Sequence, residues 1–309
     1  MRETKKLKFI LLVVALLSFS CVKEDDQCDT NTNPDSSVEK ATSDDSIAAK
    51  EKCDDDTVDP DPGDGDGDDD TVQPPPTSGE PDETDQASLD RPWERGDTSI
   101  VIDAYEGNGI DWDKMATDPK VVGVIHRSSI GSRVDTKYVS RKKIALERGY
   151  LWGAYHLGRR GNTKAQADLF LSLIGDEPDT LMILDLEDTA SSRFMSIEEA
   201  IVFMEYVYEK TGKIPTVYAN HSTTVKLNTL VKNNPLFQQS KLWYARFKAK
   251  VTDYPGSLWA NYFMWQFSSE INCSRTGTCL YNVPGTEFDM DVNVFNGPPA
   301  ELVNQWNNY

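Results

Sequence analysis

The chain has 309 residues, a length that suits one large domain or two ordinary ones. It carries 51 acidic and 32 basic residues, for a formal net charge of −19 at pH 7, and the basic residues form no stripe, so we expect no nucleic-acid partner. Most of the negative charge is local, because residues 22–90 hold 24 carboxylates and four lysines. The chain from Arg91 onward is nearly neutral and has the composition of a folded domain.

Residues 1–20 have the pattern of an export signal. The basic stretch MRETKKLK precedes FILLVVALLSFS, an apolar stretch that is short for a permanent membrane span. Cys21 follows at once, in a position similar to that of the lipidated cysteine of bacterial lipoproteins. We therefore predict an exported lipoprotein, anchored to a membrane through Cys21 and facing the periplasm or the cell exterior. An ordinary cleaved signal peptide is the alternative.

Residues 21–92 are predicted to be an acidic, disordered linker. The stretch DPDPGDGDGDDDTVQPPPTSGEPDETD is rich in Asp, Gly and Pro and nearly free of apolar residues. Such a segment buries too little surface to offset its ordering entropy, and its like charges extend it. We interpret it as a spacer between the membrane and a domain at residues 93–309. A calcium-binding repeat is the alternative, although the glutamate at the twelfth position of such a loop is missing.

From Arg91 onward, apolar runs alternate with helical patterns. The predicted strands are TSIVIDAY, KVVGVIHRS, YLWGAYHL, TLMILDLE and KIPTVYAN, and the predicted helices include TKYVSRKKIALERG, NTKAQADLFLSLIG and SIEEAIVFMEYVYEKTG. This alternation predicts parallel strands with crossover helices. The later runs KLWYARF, ANYFMWQFSS and TEFDMDVNVF look like strands without a convincing helix between the last of them. The pattern favours an irregular α/β barrel over the alternative of an open doubly wound sheet.

Five cysteines fit an exported protein. If Cys21 is lipidated, four remain, and an even number suits disulfides. Cys273 and Cys279 lie in the loop-like stretch INCSRTGTC, so we predict a local disulfide between them. Cys28 and Cys53 could pair within the spacer.

Carboxylates end several of the predicted strands: Asp103, Asp185, Glu187, Asp289 and Asp291. The active site of a parallel barrel lies at the carboxyl ends of its strands. Asp185 and Glu187 are two positions apart and should face the same side, whereas Leu186 should point toward the helices. Two acids this close cannot ionise independently, so one of them should keep its proton, which suits a general acid.

Paired carboxylates are what glycosidic bond cleavage requires. The alternatives for the D-x-E pattern are a metal site and a cap of the next helix. Eight aromatic residues lie on or beside the strands and could stack on sugar rings, although half of them should be barrel core: Tyr105, Trp152, Tyr155, Tyr218, Trp243, Tyr244, Trp265 and Phe267. The three histidines lack the H-E-x-x-H spacing of a zinc site, and no G-x-S-x-G is present, so we expect neither a metal nor a cofactor.

The ordered set VIDAYEGNGIDW, GYLWGAYHL, ILDLE, IPTVYAN, LWYARF, WQFSS and DVNVFNG resembles family 25 glycoside hydrolases, the Chalaropsis-type lysozymes. The resemblance covers residues 99–297. It implies a flattened (β/α)5β3 TIM-like barrel that cleaves the β-1,4 bond between N-acetylmuramic acid and N-acetylglucosamine. The expected partner is therefore the peptidoglycan glycan strand, bound by a monomer. The family commonly has K-A-T-E-G after its second strand, whereas this chain has RSSIG, with Ile130 in place of the glutamate.

The resemblance also implies roles for individual residues. Glu187 would be the general acid, and Asp185 would orient the substrate's acetamido group as an internal nucleophile. Asp103 and Asp291 would orient water, substrate or the central pair. The predicted substrate-binding residues are Tyr105, Tyr155, Tyr218, Trp243, Arg246 and Gln266. A glycan-binding lipoprotein that no longer cleaves, and a glycosidase of the same fold that acts on chitin-like polymers, are the alternatives.

Overall fold

The structure is a computed structural model that describes residues 90–274 and 276–307. These residues belong to one unit of the chain, Gln73–Tyr309. The predicted export signal, lipidation of Cys21, the spacer as far as residue 89 and the Cys28–Cys53 pairing lie outside the described residues. Within the described part, no helix is both long and apolar enough to cross a membrane.

The core of the fold is a closed barrel of eight strands with one additional strand. The strands are β1 (Ser99–Ala104), β2 (Val121–Ile130), β3 (Arg133–Val134), β4 (Leu151–Leu157), β5 (Leu181–Leu186), β6 (Thr216–Asn220), β7 (Leu242–Ala245), β8 (Met264–Ser268) and β9 (Asp291–Phe295). The sheet order is β1-β9-β8-β7-β6-β5-β4-β2-β3, and pairing of β1 with β2 closes the barrel. All barrel pairs are parallel except those of β9, which runs antiparallel to β1 and β8.

In the part of the chain that the structure describes, seven α-helices accompany the strands. They are α1 (Trp112–Met115), α2 (Tyr138–Glu147), α3 (Thr163–Ile174), α4 (Ile197–Thr211), α5 (His221–Leu230), α6 (Pro235–Gln239) and α7 (Pro299–Asn307). Helices follow five of the parallel strands, and three further strands complete the barrel. The predicted (β/α)5β3 architecture is confirmed, and the closing β1–β2 pair rules out an open doubly wound sheet.

Local signals account for the helix boundaries. The helix α4 begins with a capping box, in which Ser196 Oγ accepts a hydrogen bond from Glu199 N and the Glu199 carboxylate accepts one from Ser196 N. It ends at Gly212, whose φ of 69° is a left-handed conformation that glycine adopts without strain. The sequence around residues 196–212 therefore fixes both ends of this helix.

Side-chain alternation along the strands separates two layers of core. In β5, Leu184 and Leu186 belong to the outer layer between barrel and helices, whereas Leu181 and Ile183 belong to the interior layer. The interior layer comprises Val101, Ile125, Leu181, Ile183, Trp243, Phe263, Met264, Phe295, Leu302 and Trp306. The last two come from α7, which closes the barrel end opposite the strand-end carboxylates. Trp306 Nε1 donates a hydrogen bond to Trp152 O at 3.1 Å.

Two features differ from, or add to, the sequence-based expectation, and a third agrees with it. The final strand begins at Asp291, because residues 286–290 form turns and a single bridge from Thr286 to Ile110. The strand β3 forms a short hairpin with β2 that the sequence did not indicate. Cys273 and Cys279 form a disulfide bond, the local pairing that their spacing predicted.

Candidate active site

Four carboxylates from three regions of the chain line one small cavity at the carboxyl end of the barrel. The cavity has a volume of about 50 Å³ and is lined by Asp103, Tyr155, Asp185, Glu187, Tyr218, Trp243 and Asp291. Strand register explains the convergence, because Asp103 on β1 lies opposite Asp291 on β9. Asp185 on β5 lies beside Tyr218 on β6. The four acidic residues to which the family resemblance assigns roles therefore share one site, and Asp289 lies outside it.

Asp185 is the buried member of the central pair. Its exposed fraction is 5%, and Asp185 Oδ1 has no hydrogen-bond partner among the described residues. Burial raises the pKa of Asp185 well above its usual range, and the negative charges of Glu187 and Asp103 raise it further. The surroundings therefore favour the protonated form of this carboxyl group.

Glu187 lies just beyond the end of β5 and is only half-buried. The sequence predicted that one of the two acids would retain a proton, and the resemblance gave the acid role to Glu187. The carboxyl group whose pKa the surroundings raise is Asp185, because it lies deeper in the barrel. The pair thus combines a buried carboxyl whose pKa is raised with a more exposed carboxyl at the cavity.

Two consecutive hydrogen bonds connect Tyr218, Gln266 and Asp103. Tyr218 Oη donates to Gln266 Oε1 at 2.7 Å, and Gln266 Nε2 donates to Asp103 Oδ2 at 2.9 Å. Gln266 is fully buried, so both ends of its amide are used within the protein. Gln266 was predicted to bind substrate, and the structure instead gives it contacts that orient Asp103 and Tyr218.

Aromatic side chains form the walls of the cavity. The Trp243 ring meets Tyr218 edge to face at 4.5 Å and Tyr155 at 6.4 Å between centroids. Trp243 Nε1 donates to Asn293 Oδ1 at 2.7 Å, which fixes the indole plane. Burial raises the pKa of Tyr155 and Tyr218 well above the usual value, so both hydroxyls remain neutral donors. Aromatic rings with neutral hydroxyl groups therefore line the cavity beside the carboxylates.

The other predicted site residues lie elsewhere. Four of the eight strand aromatics belong to the outer core layer and not to the cavity: Trp152, Tyr244, Trp265 and Phe267. Tyr105 lies under the guanidinium of Arg127 at 4.8 Å. Arg246 pairs with Asp253 and does not line the cavity. Asp289 accepts a hydrogen bond from Asn108 Nδ2 at 3.1 Å and also lies outside the lining.

Sequence reasoning missed Arg127 and Asn293. Arg127 is nearly buried, with Nε 3.2 Å from Asp135 Oδ2 and Nη2 3.6 Å from Glu106 Oε1. Its positive charge opposes the rise in the pKa of Asp185. A usable signal exists for Arg127, since it is two positions after the interior residue Ile125 on the same strand. An arginine on the inner face of a barrel strand indicates a functional end of that barrel.

The buried histidines have structural partners. His126 Nε2 lies 3.0 Å from Arg141 Nη1, and burial lowers the pKa of His126 to about 3. His156 lies between Ser129 and Gln166, and burial lowers its pKa to about 4. Both imidazoles are therefore neutral. In the described part of the chain, no group of three or more His, Cys, Asp and Glu side chains is arranged to hold a metal ion.

Comparison with known proteins matches this chain to one family. The model of glycosyl hydrolases family 25 matches residues 102–275, a range that includes Asp103, Asp185 and Glu187. A comparison with curated proteins gave no match.

Solved structures share the fold. A bacterial lysozyme from Streptomyces coelicolor is 23% identical, with a TM-score of 0.54 over 69% of this chain and 99% of that chain. A muramidase from Trichobolus zukalii is 20% identical, with a TM-score of 0.53 over 68% of this chain and 99% of that chain. A family 25 lysozyme from Aspergillus fumigatus is also 20% identical, with a TM-score of 0.54 over 68% of this chain and 100% of that chain.

Proposed function

Because the chain belongs to glycosyl hydrolase family 25 and is a glycoside hydrolase, we propose that it is a muramidase. Its substrate is peptidoglycan, and it hydrolyses the β-1,4 bond between N-acetylmuramic acid and N-acetylglucosamine. The observation that carries this proposal is the convergence of Asp103, Asp185, Glu187 and Asp291 on one cavity with aromatic walls. The family's solved members that share the fold include proteins named lysozyme and muramidase, which supports the choice of substrate.

The first step of the proposed reaction uses a proton held by the carboxylate pair. The raised pKa of Asp185 lets the pair retain one proton at a pH where isolated carboxyl groups would have lost theirs. This proton passes from Asp185 to Glu187, the more exposed member, and Glu187 donates it to the glycosidic oxygen as the bond from this oxygen to C1 breaks. The oxygen of the substrate's own acetamido group attacks C1 and forms a cationic, oxazolinium-like ring. Asp185, ionised by this transfer, stabilises the positive charge.

Water completes the reaction in the second step. Glu187, now a carboxylate, takes a proton from a water molecule as the water oxygen attacks C1 and the bond to the acetamido oxygen breaks. The electron pair returns to the acetamido group, and the Asp185–Glu187 pair again holds one proton. Asp103, held by Gln266, and Asp291 orient the water and the sugar. Two displacements at C1 leave the product in the β configuration.

Two measurements test this function. Release of new reducing ends from purified peptidoglycan, compared with chitin, identifies the substrate, and we expect release from peptidoglycan. Proton NMR of freshly cleaved substrate identifies the anomer, and we expect β. Release from chitin alone would assign the activity to another polymer, and an initial α product would mean that Asp185 activates water as a base.

We also propose that the protein is an exported lipoprotein, on the basis of the residue pattern before and at Cys21. Replacement of Cys21 by Ser should move the protein from the membrane fraction to the soluble fraction. A shortened chain that begins near Asp90 should keep its rate on soluble glycan fragments, because residues 22–89 lack the apolar content for a core. Retention of the Cys21→Ser variant in the membrane fraction would contradict lipid anchoring.

A further inference from the structure

A second and larger cavity lies beside the carboxylate site. Its volume is about 250 Å³, and it is lined by Ile130, Gly131, Ser132, Arg159, Arg160, Gly161, Asn162 and Gln166. It stands at the carboxyl ends of β2 and β4. Leu157, the last residue of β4, pairs with Asp185, and Gly158 N donates to Asp185 O at 3.4 Å. The arginine at position 159 therefore follows directly from the edge of the carboxylate site.

The charge of this cavity is positive. No carboxylate lies within ion-pair distance of the Arg159 guanidinium among the described residues, and this group stacks on Phe194 at 4.4 Å. Arg160 Nη1 lies 3.7 Å from Glu199 Oε2 and is exposed. Partial burial lowers the pKa of Arg159, and the charge of Glu187 opposes that shift. Arg159 thus lines the cavity, and Glu187 is close enough to influence the pKa of its guanidinium. The N–H donors of this guanidinium are available to a ligand.

A network of hydrogen bonds holds the backbone at Arg159. Gln166 Oε1 accepts from Arg159 N at 3.0 Å, and Gln166 Nε2 donates to Arg159 O at 2.8 Å. Since these bonds fix the direction of the amide, His156 Nε2 at 3.0 Å must donate to Gln166 Oε1, and Ser129 Oγ donates to His156 Nδ1. A buried, neutral network therefore sets the backbone of residue 159.

Two backbone features complete the cavity. Gly131 has a φ of 55°, and a Cβ there would lie 2.9 Å from Arg159 Cγ, so only glycine lets the arginine stem pack against this wall. The helix α3 begins at Thr163, and Asn162 before it makes no side-chain cap. The positive end of the helix dipole adds to the guanidinium charges.

We propose that this cavity is an anion subsite that holds a carboxylate of the peptide stem on the muramic acid next to the cleaved bond. This inference rests on the proposed muramidase function. The N-acetylated sugar rings of the glycan are uncharged, so the negative charge of the substrate lies on the stems. A guanidinium fork binds a carboxylate through two parallel hydrogen bonds. Chitin lacks such a group, so the subsite would also distinguish peptidoglycan from chitin.

The test measures KM on four matched soluble glycans. It uses the full-length protein and two variants, Arg159→Gln and Lys143→Gln. Lys143 is an exposed residue of α2 and serves as a control for loss of one positive charge. The glycans carry intact stems, stems with amidated carboxylates, no stem and an amidated lactyl carboxyl, or the same stem-free unit with phosphate on muramic acid. For the unaltered protein we expect a KM roughly tenfold lower on intact stems than on the other three, as a charge-assisted contact provides. Arg159→Gln should abolish this preference, and Lys143→Gln should keep it.

Failure of this inference differs from failure of the proposed function. If the unaltered protein cleaves none of the glycans, the muramidase function is wrong. If it cleaves all of them with one KM, or if Arg159→Gln keeps the preference for intact stems, the function stands and the subsite is wrong. If the glycan with phosphate on muramic acid has a KM as low as the glycan with intact stems, the assignment to a carboxylate is wrong. Because amidated stems are tested on the unaltered protein, poor folding of Arg159→Gln leaves the test decisive.

Discussion

The two ends of the barrel interior are built from the same strands and hold opposite kinds of side chain. At the end closed by α7, Phe263, Phe295 and Trp306 are almost entirely buried in the apolar interior layer. At the other end, the same strands present carboxylates. The strand β9 illustrates this, because it carries Phe295 at one end and Asp291 at the other.

The closed end of the barrel contributes to stability, whereas the open end contributes to chemistry. Apolar burial at the closed end stabilises the fold by about 25 cal/mol for each Å² removed from water. Buried carboxylates at the open end oppose folding, because their charged forms lose hydration and repel one another. We therefore expect substitutions at the two ends to affect different measurements, and each prediction below tests that separation.

The largest effect should come from Glu187→Gln at the open end. The amide keeps the shape of the side chain but cannot donate a proton to the leaving oxygen, so turnover should fall by about a hundredfold to ten-thousandfold. Reducing-end release gives the rate, and circular dichroism should show an unchanged fold. The control is Glu147→Gln, an exposed carboxylate on α2, which should retain full activity. Turnover of Glu187→Gln within threefold of the unaltered protein would refute the assignment.

Trp306→Ala at the closed end should act on stability alone. The indole is fully buried in the interior layer, so its removal leaves a cavity and should lower the free energy of unfolding by about 3–5 kcal/mol. Urea denaturation measures this loss. The control Val303→Ala, on the same helix but 41% exposed, should change stability by less than about 0.5 kcal/mol. A lower kcat for the folded fraction of Trp306→Ala would show that the two ends are coupled.

The substitution Asp185→Asn should lower activity and raise stability. A carboxyl whose folded pKa is raised contributes stability that is complete below its unfolded pKa and is lost as the pH rises through the folded pKa. Asparagine does not titrate, so the free energy of unfolding of the variant should rise relative to that of the unaltered protein as the pH increases. The difference should be about 1–3 kcal/mol at pH 7.

Urea denaturation at pH 3.5 and pH 7 measures this difference for Asp185→Asn. The control Asp179→Asn, at an exposed position, should show no pH-dependent gain. The kcat of Asp185→Asn should fall strongly while KM changes little, because the carboxylate acts mainly in the transition state. Equal stability of variant and unaltered protein at both pH values would mean that folding does not raise the pKa of Asp185.

The sequence predicted the barrel because its signals are local. Apolar runs that alternate with capped helices identify parallel units, and residues at strand ends must meet at one edge, which is why Asp103, Asp185 and Glu187 were found together. The antiparallel direction of β9 and the closure by α7 depend on which distant elements pair, and no local pattern encodes that.

Side-chain roles were harder to predict than positions. Arg246 and Gln266 both stand near strand ends, but Gln266 lies on the same face as the interior residue Met264, whereas Arg246 pairs with Asp253 outside the cavity. The sequence also predicted that one of two close carboxyl groups would keep a proton. Which of them lies deeper is a tertiary property, and the structure identifies Asp185.

The smallest effect should come from Tyr218→Phe, which removes one hydroxyl from the open end. The ring can still pack on Trp243, but Gln266 Oε1 loses the donor that lies at 2.7 Å. Loss of this neutral hydrogen bond should lower the free energy of unfolding by about 1 kcal/mol. Since Gln266 also orients Asp103, turnover should fall roughly fivefold, the equivalent of about 1 kcal/mol in the activation barrier.

The neighbouring strand offers a matched control for Tyr218→Phe. Tyr244 on β7 is buried in the outer layer, and its hydroxyl lies 2.7 Å from His221 Nδ1. Tyr244→Phe removes the same group from a hydrogen bond of the same length on the face away from the cavity. It should therefore cost about as much stability, about 1 kcal/mol, and leave turnover unchanged. Urea denaturation and reducing-end release on both variants give the comparison. Equal losses of turnover would mean that the Tyr218 hydroxyl supports the fold and not the alignment of Asp103.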